Sequence, residues 1–173
     1  MARIPPVEPD NEPAELKLVF DQLRATRGRV PGMYRTLAHQ PAVLTAHRAY
    51  FHAALDAGVL PRPFKEKIAW RVAILRGSDY SGASHRSYAL KHGVTEAELA
   101  IIDSGDYAKL PPRETAALTF AEAMVKGQGK VSDTVFGALQ QHFNAPEIVE
   151  IATLVGIMEL ASSLGAVFEL KAD

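Results

Sequence analysis

The chain of 173 residues carries 47% apolar and 23% charged side chains, the size and composition of one folded domain rather than of a collagenous, coiled-coil or disordered polymer. Nineteen basic against twenty acidic residues leave a formal charge of -1, so bulk electrostatics gives no case for a nucleic-acid partner. Cysteine is absent, which excludes disulfides, cysteine nucleophiles, thiolate metal sites and every dithiol redox cycle.

Charge is unevenly placed, with seven basic against two acidic residues between 61 and 92 and five against twelve from 93 onward. The opening MARIPPVEPDNEPAEL is broken by Pro5, Pro6, Pro9 and Pro13 and has no apolar core of signal-peptide length, so a cytoplasmic location is expected. Residues 1–12 read as a proline-rich arm on the surface or on a neighbour, and residues 13–173 as a single domain.

Leu16, Val19, Phe20 and Leu23 recur at helical spacing, and the pattern stops before Gly28, predicting a first helix. Pro31, Pro41 and Pro61 then separate a short segment around 33–39, a helix over about 42–57 closed by Gly58, and a third helix beginning near Arg62. That helix runs to Gly77 and the next from about 79 to 92, making a helical hairpin with Gly93 as its left-handed stop. Thr95 and Glu98 form a T-x-x-E capping box for a short helix ending near Asp103, Pro111 and Pro112 lead into a helix over about 113–126, and Ser132 caps another. Asn144, Pro146 and Glu147 open a long apolar helix to about Leu170. Nothing alternates with the strand period, so the expected fold is all-α, with about eight helices around a central helical hairpin. Residues 148–170 are numerous enough to span a bilayer, but Glu150, Glu159 and Glu169 interrupt them at roughly 2.5 kcal/mol or more each at membrane depth. A buried helix with one face against another subunit is expected instead.

The chemistry-bearing stretch is EKIAWRVAILRGSDYSGASHRSYALKHGVTEAEL, residues 66–99. On its second helix Ser78, Ser81 and His85 share a face, with Tyr80, Ser84 and Tyr88 on the adjoining one. An antiparallel hairpin brings Glu66 of the first helix to the level of His85. His39, His47 and His52 lack the i, i+4 spacing of a helical metal pair, and neither a metal nor another cofactor is expected.

This arrangement resembles the carboxymuconolactone decarboxylase and AhpD-like superfamily, in which a glutamate on one helix precedes a C-x-x-C-x-x-x-H or E-Y-E-W-x-x-H type sequence on the next. In the peroxidase branch the two cysteines align with Ser78 and Ser81, the proton-relay glutamate with Glu66 and the histidine with His85. The segments IPPVEPD, RVPGMYRTLAHQP, the LP-x-x-x-x-E-x-x-x-x-R run ending in Glu66 and Arg71, and HGVTEAEL look more like the cysteine-free, decarboxylase-like branch. Ser81 and Gly82 stand where that branch commonly has a glutamate and a tryptophan.

The resemblance implies a cofactor-free lyase acting on a small carboxylated lactone or related carbonyl acid, with Glu66, His85 and Tyr80 as catalytic groups and Ser78, Ser81 and Arg71 binding the anionic substrate. It also implies a homotrimer or homohexamer. The alternative is an AhpD-related oligomeric binding protein without the dithiol and without catalysis. Plainer readings stand beside each residue: Glu66 as an ion-pair partner of Lys65, Lys67 or Arg71, the serines as helix caps, His85 and Tyr80 as packing residues, and Arg71, Arg76 and Arg86 as a solvated basic face.

Overall fold

A computed structural model describes residues 2–172. Among the described residues there are nine α-helices and no strand: α1 (Lys17–Arg27), α2 (Gly32–Leu37), α3 (Pro41–Phe51), α4 (Arg62–Leu75), α5 (Asp79–Lys91), α6 (Glu96–Ser104), α7 (Pro112–Lys126), α8 (Asp133–Gln140) and α9 (Ala145–Val167). Local chemistry sets most boundaries. Gly28 stops α1 at φ 74°, the Thr95–Glu98 and Asn144–Glu147 capping boxes both form, and the Ser132 side chain accepts from the Val135 amide.

Two boundaries differ from the sequence expectation. The helix expected to reach residue 57 leaves α geometry at Phe51 and continues as a π-helical turn, His52–Asp56, in which the Ala57 amide donates to the His52 carbonyl. The last helix ends at Val167 rather than near 170, because Glu169 takes a positive φ of 53° and the Leu170 amide turns back to the Gly165 carbonyl.

Helix α4 is the axis of the fold, packed against α5, α6, α7 and α9. Its Ile68, Ala69 and Val72 meet Leu118 and Ala121 of α7 and Leu154 and Met158 of α9 in the main core. A second apolar cluster joins Leu16, Phe20 and Leu23 to Met33, Tyr34 and Leu44. The arm at 2–12 lies on its own chain: Arg3 bonds to Phe168 and Glu169, and Val7 exchanges hydrogen bonds with Arg35.

Helix α9 is long and apolar enough to cross a membrane by length and composition, yet half of its most apolar window is buried within the bundle. Glu150, near its start, receives the Lys65 ammonium at 2.8 Å and the Val59 amide at 2.7 Å. Gly58 is required beneath that carboxylate, since its φ is 95° and a Cβ there would overlap the Glu150 side chain.

Candidate functional site

The α4–α5 hairpin turns at Gly77, whose φ of 57° suits a residue without a Cβ. Ser78 then caps α5, its hydroxyl accepting from the Ser81 amide at 3.3 Å. Two pairs fix the antiparallel register. Trp70 faces Gly82, where a Cβ would approach the indole to 3.2 Å, and one helical turn farther from the hairpin Glu66 meets His85. The Trp70 indole N–H donates to Asp103 at 2.7 Å, which holds the ring in the space that Gly82 leaves.

Glu66 is completely buried, and both of its carboxylate oxygens are engaged. Oε2 contacts His85 Nδ1 at 2.8 Å, and Oε1 accepts from Arg62 Nε at 2.6 Å. Arg62 lies one turn earlier on α4 and also bonds Asp56 at the end of the π-helical turn. Burial works against ionisation of Glu66, but the hydrogen bonds and charges of His85 and Arg62 outweigh it and hold the carboxyl below its ordinary value. With Nδ1 facing a carboxylate, His85 has its ring orientation fixed. Nε2 has no hydrogen-bond partner among the described residues.

His85 lines a cavity of about 360 Å³, at the small end of the range for ligand pockets. The cavity opens where the two apolar clusters meet, taking Met33 and Tyr34 from one and Phe51 and Leu55 from the other. Arg62 and Tyr88 form another part of the wall, the guanidinium 5.7 Å from the Tyr88 ring centre. Ala161 of α9 closes one side.

The residues expected from sequence divide by position. Tyr80 and Ser81 line the cavity with His85. The Tyr80 hydroxyl accepts from the Met33 amide at 2.8 Å, tying α5 to α2, while buried Ser81 has its hydroxyl 3.5 Å from that of Ser162. Ser78 is the helix cap and is outside the cavity lining. Arg71 corrects a substrate-binding expectation: it points to the other side of α4, where its guanidinium binds Glu122 at 2.6 Å and the Ile102 carbonyl at 3.0 Å. About two and a half turns separate it from Arg62 along α4, which puts the two guanidinium groups on opposite faces.

The ion pairs considered for Glu66 are also replaced. Lys65 pairs with Glu150, and Lys67 with Glu98 and Glu114. The partner of Glu66 is Arg62, four residues back, a spacing that is readable in a helix. Sequence reasoning also passed over Arg27 and His47 as cavity residues, and neither carries a local signal, since they reach the cavity from α1 and α3.

Residues 41–123 match the model of the Carboxymuconolactone decarboxylase family. An uncharacterized protein of Cupriavidus necator is 39% identical over 61 residues, 35% of this chain and 54% of that protein, so the chain spans about half the length of this curated relative. Among solved structures, an uncharacterized peroxidase-related protein from Ralstonia eutropha JMP134, described as an alkylhydroperoxidase AhpD core, has a TM-score of 0.88 at 23% identity, covering 99% of this chain and 92% of its own. The debrominase Bmp8, as a cysteine-to-alanine variant in complex with 2,3,4-tribromopyrrole, has a TM-score of 0.87 at 20% identity, covering 100% and 92% respectively. At such identities the structural likeness is one of fold. The family match runs from α3 into α7, just under half of the chain, and the chain as a whole has the AhpD-like helical fold without a single cysteine.

Proposed function

We propose that the protein is a cofactor-free lyase that decarboxylates a small carboxylated lactone or related carbonyl acid, with His85 as the proton donor. The observation that carries this reading is the Arg62–Glu66–His85 relay, in which a fully buried carboxylate holds one imidazole nitrogen at 2.8 Å and leaves the other for the cavity. In its charged form His85 donates from both nitrogens, Nδ1 to Glu66 and Nε2 to a bound substrate.

Loss of carbon dioxide breaks the bond between the carboxylate carbon and its neighbour. The electron pair moves into the adjacent carbonyl or conjugated system, and Nε2–H then supplies the proton that completes the product. Ser81 and Tyr80 line the same cavity, and in this reading their hydroxyls meet the developing oxyanion charge. Sulfur-based peroxide reduction has no place in this scheme, because a serine hydroxyl cannot pass through a sulfenic acid to a disulfide.

The test is turnover of carboxylated unsaturated lactones and related carbonyl acids, followed as carbon dioxide release in deuterated water. Product carrying one solvent deuteron, with His85→Gln slowed by about 10²-fold or more, supports the reading. Saturable binding without release, or full activity in folded His85→Gln, overturns it. The same reading includes a homotrimer or homohexamer. Val149, Leu160 and Val167 stand exposed along α9 with Val43 and Tyr50 on α3, and light scattering that shows only monomer at micromolar concentration would sink that part.

A further inference from the structure

Among the groups in the cavity wall that have no role in the relay, two carry a further inference. His47, on α3, is only 8% exposed, and neither of its ring nitrogens has a hydrogen-bond partner among the described residues. Its ring is fixed by packing, edge-on to Tyr34 at 6.0 Å and nearly parallel to Phe51 at 6.1 Å, and Phe51 in turn lies 6.4 Å from His85. An unpaired buried polar group costs about 1–3 kcal/mol, so a packed imidazole at a cavity wall, with both nitrogens shielded from solvent and unpaired among the described residues, is one that a ligand's polar atom would satisfy.

The second group is Arg27, at the end of α1. Arg62 is engaged by Glu66 and Asp56, whereas the Arg27 guanidinium has no ion pair or hydrogen bond among the described residues. It sits instead among the rings of Tyr34, Phe51 and Tyr88, at 6.0, 6.0 and 5.4 Å from their centres. Those spacings exceed the roughly 3.5–4.0 Å of tight stacking, which leaves its donor fork open to a ligand between aromatic walls.

We propose that Arg27 and His47 form the recognition pole of the cavity and select a flat, conjugated monoanion, Arg27 taking the charged oxygens, His47 a second polar atom, and the Tyr34, Phe51 and Tyr88 rings the planar body. Burial holds His47 below the ordinary histidine value, so near neutral pH it offers one N–H donor and one acceptor lone pair rather than a second cation. The pole therefore matches one negative charge. Phe51 lies beside both imidazoles, so a ring bound at His47 has the proton donor His85 along the same wall.

This inference rests on the proposed decarboxylase reading for the direction in which the substrate lies, but its test reads binding alone. Benzoate, cyclohexanecarboxylate and benzamide separate the two requirements, because the first is flat and charged, the second charged but not flat, and the third flat but neutral. Calorimetric titration is expected to rank benzoate at least about tenfold tighter than either of the others, with the His47 imidazole resonances moving on benzoate addition to the unmutated protein. Arg27→Gln is expected to erase the preference over benzamide, and His47→Phe to weaken benzoate severalfold, each in protein whose helical circular dichroism is retained. No saturable benzoate binding at millimolar concentration, equal affinity for benzamide, or unmoved His47 resonances would overturn the proposal even if a variant fails to fold. Benzoate bound through Arg27 and His47 in a protein that releases no carbon dioxide would sink the decarboxylase reading while leaving the recognition pole intact.

Discussion

Helix α4 carries charged side chains on two faces, and the two are finished differently. Away from the cavity, Lys65, Lys67 and Arg71 are all buried and all saturated: Lys65 by Glu150, Lys67 by Glu98 and Glu114, Arg71 by Glu122 and the Ile102 carbonyl. Toward the cavity, Glu66 is just as buried and just as saturated, but its partner His85 has a nitrogen left over, and His47 beyond it has two. A buried charge that is fully paired belongs to the architecture. One whose partner retains an unused donor beside a cavity is available for chemistry.

The largest effect expected from breaking that contrast is on the saturated face. Lys65→Met leaves Glu150 buried without its ammonium and is expected to cost about 3–5 kcal/mol in urea unfolding. A loss under about 1 kcal/mol would mean that the Val59 and Leu60 amides alone hold the Glu150 carboxylate.

On the cavity face the order reverses, with function more sensitive than stability. Glu66→Gln preserves shape but removes the charge that holds His85, and turnover of a decarboxylated substrate is expected to fall by about 10²-fold, equivalent to about 2.7 kcal/mol in the barrier. Stability is expected to change less than in Lys65→Met, because Arg62 keeps Asp56. If both variants lose stability equally while Glu66→Gln keeps its rate, the two faces are not distinct.

How much of this was legible in the sequence depends on how far each contact reaches along the chain. Caps at Thr95, Ser132 and Asn144 were legible because donor and acceptor lie three residues apart. The Glu66–His85 meeting was legible because one turn of known handedness joins their helices. The partners of Lys65 and Arg71 were not, lying 85 and 51 residues away, so Arg71 was read with Arg76 and Arg86 as part of a solvated face although Arg71 is buried and Arg76 is exposed. Arg27 and His47 were hidden for the same reason. The π-helical turn escaped because an i+5 hydrogen bond leaves the apolar spacing of residues 42–57 looking helical.

Acid separates the faces by a smaller amount. On the saturated side, burial opposes ionisation of Glu122, but Lys126, Tyr107 and Arg71 hold its carboxyl at about 2, against an ordinary 4.5. A folded pKa below the unfolded one gives a contribution fully present above the ordinary value and lost as pH falls toward the lowered one. The melting temperature is therefore expected to drop as pH falls from about 4.5 toward 2, and to drop less steeply in Glu122→Gln, which has no such proton to take up. Parallel acid slopes in the two proteins would remove Glu122 from the account.

The smallest effect expected is at the Thr95 cap. Its hydroxyl accepts from the Glu98 amide at 3.2 Å and donates to the Glu98 carboxylate at 2.8 Å, while that carboxylate also receives Lys67 at 2.6 Å. Thr95→Ala removes the hydroxyl but leaves both the Thr95 amide and Lys67 on Glu98, so the cost should stay near the ordinary capping value of about 1 kcal/mol. Helix α6 contributes no side chain to the cavity, and benzoate affinity is expected to match that of the unmutated protein. A loss of affinity alongside so small a loss of stability would show that α6, through Lys67 and Trp70 on α4, sets the position of Glu66, and the saturated face would then be part of the site rather than its support.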